Sequence, residues 1–213
     1  MQKQIKYALT RMQLIPTVRA LDFFICELAM VQHTLSRNTR TGGLRFHELS
    51  ESALRDNDCL LHPGLQTKDW AIHQFALGSR AFAASSNETI VGWYWFNPQH
   101  ADFGWIHRSN VLLPCGFSYV HGLATAPSCR RQGVATTLKE MMFSKLADDG
   151  FSHTIAACFP DNSGAQRWHR CSQSMFEQKF WGRVTYVQWL RQRWWKKRLA
   201  GPGRKHPSIL DNY

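Results

Sequence analysis

The order of apolar patterns along the chain predicts an α+β fold built on one mixed sheet. Three observations carry that expectation. The segments "RAFAASS" and "TIVGWYWF" alternate on either side of Asn87-Glu88, as the arms of a β-hairpin do. In "VHGLATAPSCRRQGVATTLKEMMFSKLADDGF", residues 120–151, an apolar run ends at Ala126-Pro127, a short basic turn follows, and helical spacing begins at once. After it come strand, helix and closing strand patterns, with no internal repeat.

Taken in order, Val18, Leu21, Ile25, Leu28 and Leu35 keep near-helical spacing, so an amphipathic helix is expected to open the chain as an extension over residues 1–43. That helix would pack on the domain or complete a homodimer interface. The polar "SRNTRTGG" breaks the pattern. The main domain, residues 44–190, starts with the alternating "LRFHEL", then a helix capped by Ser50 in "SESALRDNDCLL" and a second helix, "DWAIHQFALG", closed by Gly78. Between the hairpin and the strand "SYVHGLAT", residues 97–116 look like a loop containing Phe103 and Trp105. Leu138, Met141, Met142 and Leu146 share one face of the helix that follows, which ends at Gly150. The strand "HTIAACF", the break "PDNSG", a helix around "AQRWHRC" and strands around "SMFEQKF" and "RVTYVQWL" complete the domain. In "WYWF", core packing is expected for Trp93, Tyr94, Trp95 and Phe96, while one face together with Trp105 offers an alternative as an acceptor wall.

Composition narrows the class of protein. With 213 residues, 44% hydrophobic and 13% aromatic, the chain is long and apolar enough for one folded domain with appendages. The most apolar early stretch, "ALDFFICELAMV", carries Asp22 and Glu27, so no membrane span is expected. No signal pattern is evident either, and a cytoplasmic protein, peripheral at a membrane in one variant, is the expectation. Six scattered cysteines and ten histidines form no ligand spacing, so no metal is expected and Cys129 and Cys158 are taken as structural thiols. The net charge of +11 is concentrated near the end: Lys179, Arg183, Arg191, Arg193, Lys196, Lys197, Arg198, Arg204 and Lys205 occur without an acid between residues 178 and 210. With Trp189, Trp194 and Trp195 interleaved, the tail over residues 191–213 suits an anionic partner, whether an acyl carrier protein, a membrane surface or nucleic acid, or is simply a solvated end.

The basic turn has a direct physical reading. Gly133 permits a tight turn and close ligand approach, the helix starting near Val134 leaves amides unpaired, and Arg130 and Arg131 add positive charge. Such a turn is a cradle for an anion of the pyrophosphate kind. Arg130, Gly133 and Ala135 also fit the pattern Q/R-x-x-G-x-G/A, and in this the chain resembles the GCN5-related N-acetyltransferase (GNAT) family. The likeness extends in element order over roughly residues 44 to 190. "N-x-x-A-x-x-W-H", residues 162–169, is similar to the family's N-x-x-A-x-x-L-Y.

The resemblance implies a mostly antiparallel central sheet flanked by helices, with a splayed strand pair holding acyl-CoA. It implies that backbone amides of Arg131, Gln132, Gly133, Val134 and Ala135 hold the pyrophosphate, with Arg130 beside them. Main-chain groups of Leu123 and Thr125 would meet the pantetheine arm and acyl carbonyl, and Asn162 would touch the cofactor. His169 occupies the position of the tyrosine that the family uses to protonate the leaving thiolate; a histidine, with an unperturbed pKa of ~6.5, can also donate a proton. By position His121 is the candidate base, with Tyr119 on the same strand face. The expected activity is transfer of acetyl, or another short acyl group, from its CoA thioester to a small-molecule or protein amine by direct attack. The alternatives are a non-catalytic acyl-CoA sensor whose tail binds polyanions or membranes, and an acyltransferase whose donor is an acyl carrier protein.

Overall fold

Residues 21–28, "LDFFICEL", are apolar at almost every position, which suits an element buried on both sides better than a helix with one wet face. In the computed structural model Thr17–Glu27 is strand β1, not the expected helix. Leu21, Phe23 and Ile25 enter one buried cluster and Phe24, Cys26 and Leu28 another, as alternation on a strand requires. The spacing of Leu21, Ile25 and Leu28 mimicked a helical stripe because both faces are filled. The structure describes residues 17–28, 43–56, 60–102, 110–170, 178–189 and 192–200.

The remaining elements follow the predicted order closely. Strand β2 (Arg45–Leu49) leads to helix α1 (Glu51–Arg55), where the Ser50 hydroxyl accepts a hydrogen bond from the Ala53 amide. After the short β3 (Leu60–Leu61) comes helix α2 (Lys68–Ala76), capped in the same way by Thr67. Strands β4 (Arg80–Ser86) and β5 (Thr89–Asn97) form the hairpin, and its turn residues Asn87 and Glu88 have φ of 46° and 66°. Two left-handed residues in sequence are what a two-residue hairpin with right-handed twist demands. The expected loop is partly strand: β6 (His100–Asp102) pairs with β7 (Asn110–Leu112) in a small second sheet, while Phe103 and Trp105 lie outside the described residues.

Strand β8 (Phe117–Thr125), a single 3₁₀ turn (Pro127–Cys129), helix α3 (Val134–Asp148), strand β9 (His153–Cys158) and helix α4 (Ser163–His169) form the centre of the fold. Of the closing strands, "SMFEQ" falls mostly outside the described residues, and one long β10 (Lys179–Trp189) accounts for the rest. Strand β11 (Gln192–Ala200) pairs antiparallel with β10, so this part of the expected tail belongs to the sheet. The tail's last thirteen residues lie outside the described residues.

The main sheet runs β11-β10-β1-β9-β8-β5-β4-β2, with β3 added beside β5. Strand β1 sits between β10 and β9, so residue 44 does not separate an appended helix from the domain. Apart from β8–β9 and β3–β5, the pairings are antiparallel. The parallel β8–β9 pair needs a crossover, and α3 supplies it. Val134, Leu138, Met142, Phe143 and Leu146 of α3 pack with Tyr94 and Phe96 on one face of the sheet. Trp93 and Trp95 join Leu49, Leu54 and Ala71 in another cluster. All four residues of "WYWF" are buried, in agreement with core packing. Each fully buried side chain of this size stabilises the fold by about 1.5–3 kcal/mol. No helix among the described residues is long and apolar enough to cross a membrane.

Candidate active site

The parallel strands β8 and β9 are paired only from Phe117–His153 to Val120–Ala156. Beyond that rung they part. The pairing of β8 with β5 slips between Trp93 and Trp95, and Gly122, opposite the slip, has φ of +60°. An extra residue taken up in a left-handed conformation bends a strand away from its neighbour, and glycine adopts it without strain. Glycine is needed for a second reason: a Cβ here would lie 2.8 Å from Trp70 Cη2. The opening is a cleft of about 580 Å³ between residues 120–125 of β8 and residues 156–159, closed on a third side by α4. Along it, β8 stays bonded to β5 on one edge while its other edge has left β9.

At the outer end of β8 the chain enters the basic turn. Arg131 has φ of 64° and Gly133 of 80°, and the helical ladder of α3 begins with the Thr137 amide donating to the Gly133 carbonyl. The amides of Val134, Ala135 and Thr136 therefore precede the ladder, at the positive end of the helix dipole. A Cβ on Gly133 would meet nothing within 4 Å, so the space over the turn is open. Side chains hold the turn in shape: Arg130 Nε donates to the Thr125 carbonyl at 3.2 Å and Gln132 Nε2 to the Ser128 carbonyl at 3.0 Å.

Of the residues expected at the site, Leu123, Thr125, Arg130, Ala135, Asn162, His121 and His169 line the cleft. Arg131, Gln132 and Gly133 are exposed on the turn beside it, and the Val134 side chain is committed to the core. Asn162 caps α4 by accepting from the Ala165 amide at 3.1 Å. Tyr119 does not reach the cleft. It is buried with Leu21, Phe23 and Ile25, and its ring stacks on His121 at 5.3 Å, which confirms that the two share a strand face.

Both histidines are neutral near physiological pH. Burial lowers His121 to about 4, and its Nε2 lies 3.4 Å from Ser79 Oγ. His169 is likewise held at about 4, chiefly by burial, against an opposing hydrogen bond that it donates to Gln178 and with Lys139 nearby pushing the same way as burial. Its Nδ1 is 2.8 Å from Gln178 Oε1, and its ring stacks on Phe24 at 4.6 Å. With an amide oxygen as partner, Nδ1 carries the hydrogen and Nε2 is left as an acceptor. An imidazolium acid is thus not what this position offers at neutral pH.

Sequence reasoning missed the support beneath α4. Asp22 of β1, fully buried, accepts from Arg183 Nε and Nη2 at 2.5 and 2.7 Å and from Gln166 Nε2 at 2.8 Å. Gln166 Nε2 also approaches Cys158 Sγ at 3.4 Å, and burial together with the Asp22 charge pushes that thiol up to about 11, where it is inert. Tyr94 and Trp168 also line the cleft, their rings edge to face at 5.7 Å. The apolar flanks of Asp22 and the glycine inside "SYVHGLAT" were the available signals, since a buried charge needs a partner and a mid-strand glycine marks a bulge. Among the described residues no group of three or more His, Cys, Asp or Glu is placed to hold a metal ion.

A mixed sheet whose central parallel strands part beside a glycine turn and a helix start has the acetyltransferase fold of the GNAT type. A family model described as the acetyltransferase (GNAT) family matches residues 45–172, and the chain belongs to that family. Among solved structures, a Drosophila protein is similar at 10% identity and a TM-score of 0.53, covering 89% of this chain and 57% of its own. A GCN5-related N-acetyltransferase from Sphaerobacter thermophilus is similar at 12% identity and a TM-score of 0.52, with 89% and 57% covered. The chain thus spans little more than half the length of these two proteins. No curated protein sequence matches it.

Proposed function

We propose that the protein is an acyl-CoA-dependent N-acyltransferase that moves an acetyl group from acetyl-CoA to an amine by direct attack. The observation that carries this reading is the parting of β8 from β9 beside the left-handed turn at Gly133. An extended arm laid along His121 to Thr125 would meet an open strand edge, and a pyrophosphate at its end would meet the amides from Arg131 through Ala135. Arg130 adds charge there, and Asn162 flanks the arm from α4. In this scheme the thioester lies towards the inner end of the cleft. His121, a neutral imidazole, takes the proton released by the amine, with Tyr119 stacked behind it as support. His169 serves as a neutral hydrogen-bonding group at the donor. Placing both reactants at attack distance supplies most of the acceleration such a transfer requires.

The test is calorimetric titration with acetyl-CoA at fixed physiological salt, for the native protein and for Gly133→Glu. Micromolar binding is expected in the native protein. It should disappear in a folded variant, because a carboxylate would enter the open space over the turn and repel the pyrophosphate. Equal affinity in the two would remove the turn from the site.

A further inference from the structure

We propose that the Tyr94 hydroxyl donates a hydrogen bond to the thioester sulfur of the bound acyl-CoA and holds that sulfur as it leaves. The proposal rests on the acyl-CoA reading above and assigns a donor that His169, in the arrangement found, does not supply. Tyr94 of β5 lines the cleft beside Val120 and Ala156, the pair at which β8 and β9 separate. Its ring is fixed against Trp168 at 5.7 Å and Phe143 at 6.3 Å. The residue is 2% exposed, and its hydroxyl is buried without a hydrogen-bond partner.

A buried hydroxyl left unpaired is destabilising, so its presence calls for a partner that arrives with the ligand. Its neighbours on the cleft are committed elsewhere: Asn162 to its helix cap, His169 Nδ1 to Gln178, Cys158 to Gln166. Among the described residues that line the cleft, Tyr94 has the buried polar group with no partner. Burial foremost, with Cys26 and Tyr119 adding to it, raises the phenol well above its ordinary value, so it stays protonated and keeps its hydrogen to donate.

The chemistry balances without another reagent. The amine nitrogen forms the new C–N bond and gives up one proton. That proton passes to His121. The C–S bond breaks with its electron pair going to sulfur, which sits as a thiolate against the Tyr94 O–H. The thiolate is protonated through water as CoA departs, with His121 returning its proton to that water so that no net charge is left.

Titration of CoA and desulfo-CoA into the native protein and Tyr94→Phe, at pH 7 and pH 9, tests this. Ionisation of the CoA thiol, near pH 8.5 for a thiol, should strengthen the contact, since hydrogen bonds to charged groups are the stronger ones. The native protein is expected to favour CoA over desulfo-CoA by roughly tenfold more at pH 9 than does Tyr94→Phe, with desulfo-CoA bound equally by both. The thermal midpoint of ligand-free Tyr94→Phe should not fall, because no bond of the free protein is lost. Equal CoA affinity in both proteins, or a parallel loss for CoA and desulfo-CoA, would overturn the assignment to Tyr94 alone. Failure of the native protein to bind CoA at all would overturn the acyl-CoA reading together with it.

Discussion

His121 and His169 are titratable residues of the cleft whose surroundings disfavour their charged form, and each has a consequence away from catalysis. Both are pushed from 6.5 to about 4 in the folded protein by burial. Between those values the unfolded chain binds protons that the folded chain refuses, so stability is complete above pH 6.5 and falls as pH drops towards 4. Two such groups give a slope approaching two protons in that window. Urea unfolding at half-unit steps from pH 7 to 4 measures it, and a flat profile would contradict the burial of both rings. His121 could be placed from the sequence because strand alternation fixes its side. The neutrality of His169 could not, since it depends on Phe24 and Gln178, one from a strand far back in the chain and one beyond the helix.

At the scale of elements, the tie between β1, β10 and α4 is the contact with the sharpest energetic signature. Asp22 has no exposure, whereas the Arg183 side chain is 37% exposed. Removing the arginine strands a buried carboxylate; neutralising the aspartate leaves a guanidinium that can turn to water. Arg183→Met is therefore expected to cost about 3 kcal/mol and Asp22→Asn about 1 kcal/mol, read as a difference in chemical denaturation midpoints at pH 7. A reversed order would mean that the pair carries its cost on the other side. Elements with local signals were legible: Ser50 does cap a helix, and Asn87-Glu88 does close the hairpin. Strand β1 was not, because a stretch filled on both faces has no period of its own, and only the neighbours β9 and β10 decide its state. Likewise the turn at Gly133 stands out in sequence, while the bulge at Gly122 has a lone mid-strand glycine as its signal and takes its register from β5.

For the whole molecule, the place of β1 sets a strand from residues 17–27 inside the main sheet. Removing residues 1–43 would take out a strand that separates β9 from β10, exposing two edges and a row of apolar side chains at once. Such a fragment is expected to aggregate or to lack a cooperative thermal transition, whereas an independent domain over residues 44–190 would unfold sharply in calorimetry. The same strand order has a further consequence. On one side of the Val120–Ala156 rung stand β9, β1, β10 and β11, on the other β8, β5, β4 and β2 with β3, and along the sheet only four paired positions join the two. The protein is in this sense two half-sheets sewn by a short seam that stops midway. A molecule lying in the unsewn part takes the place of the missing stitches, so occupancy of the cleft and stiffness of the whole sheet rise together.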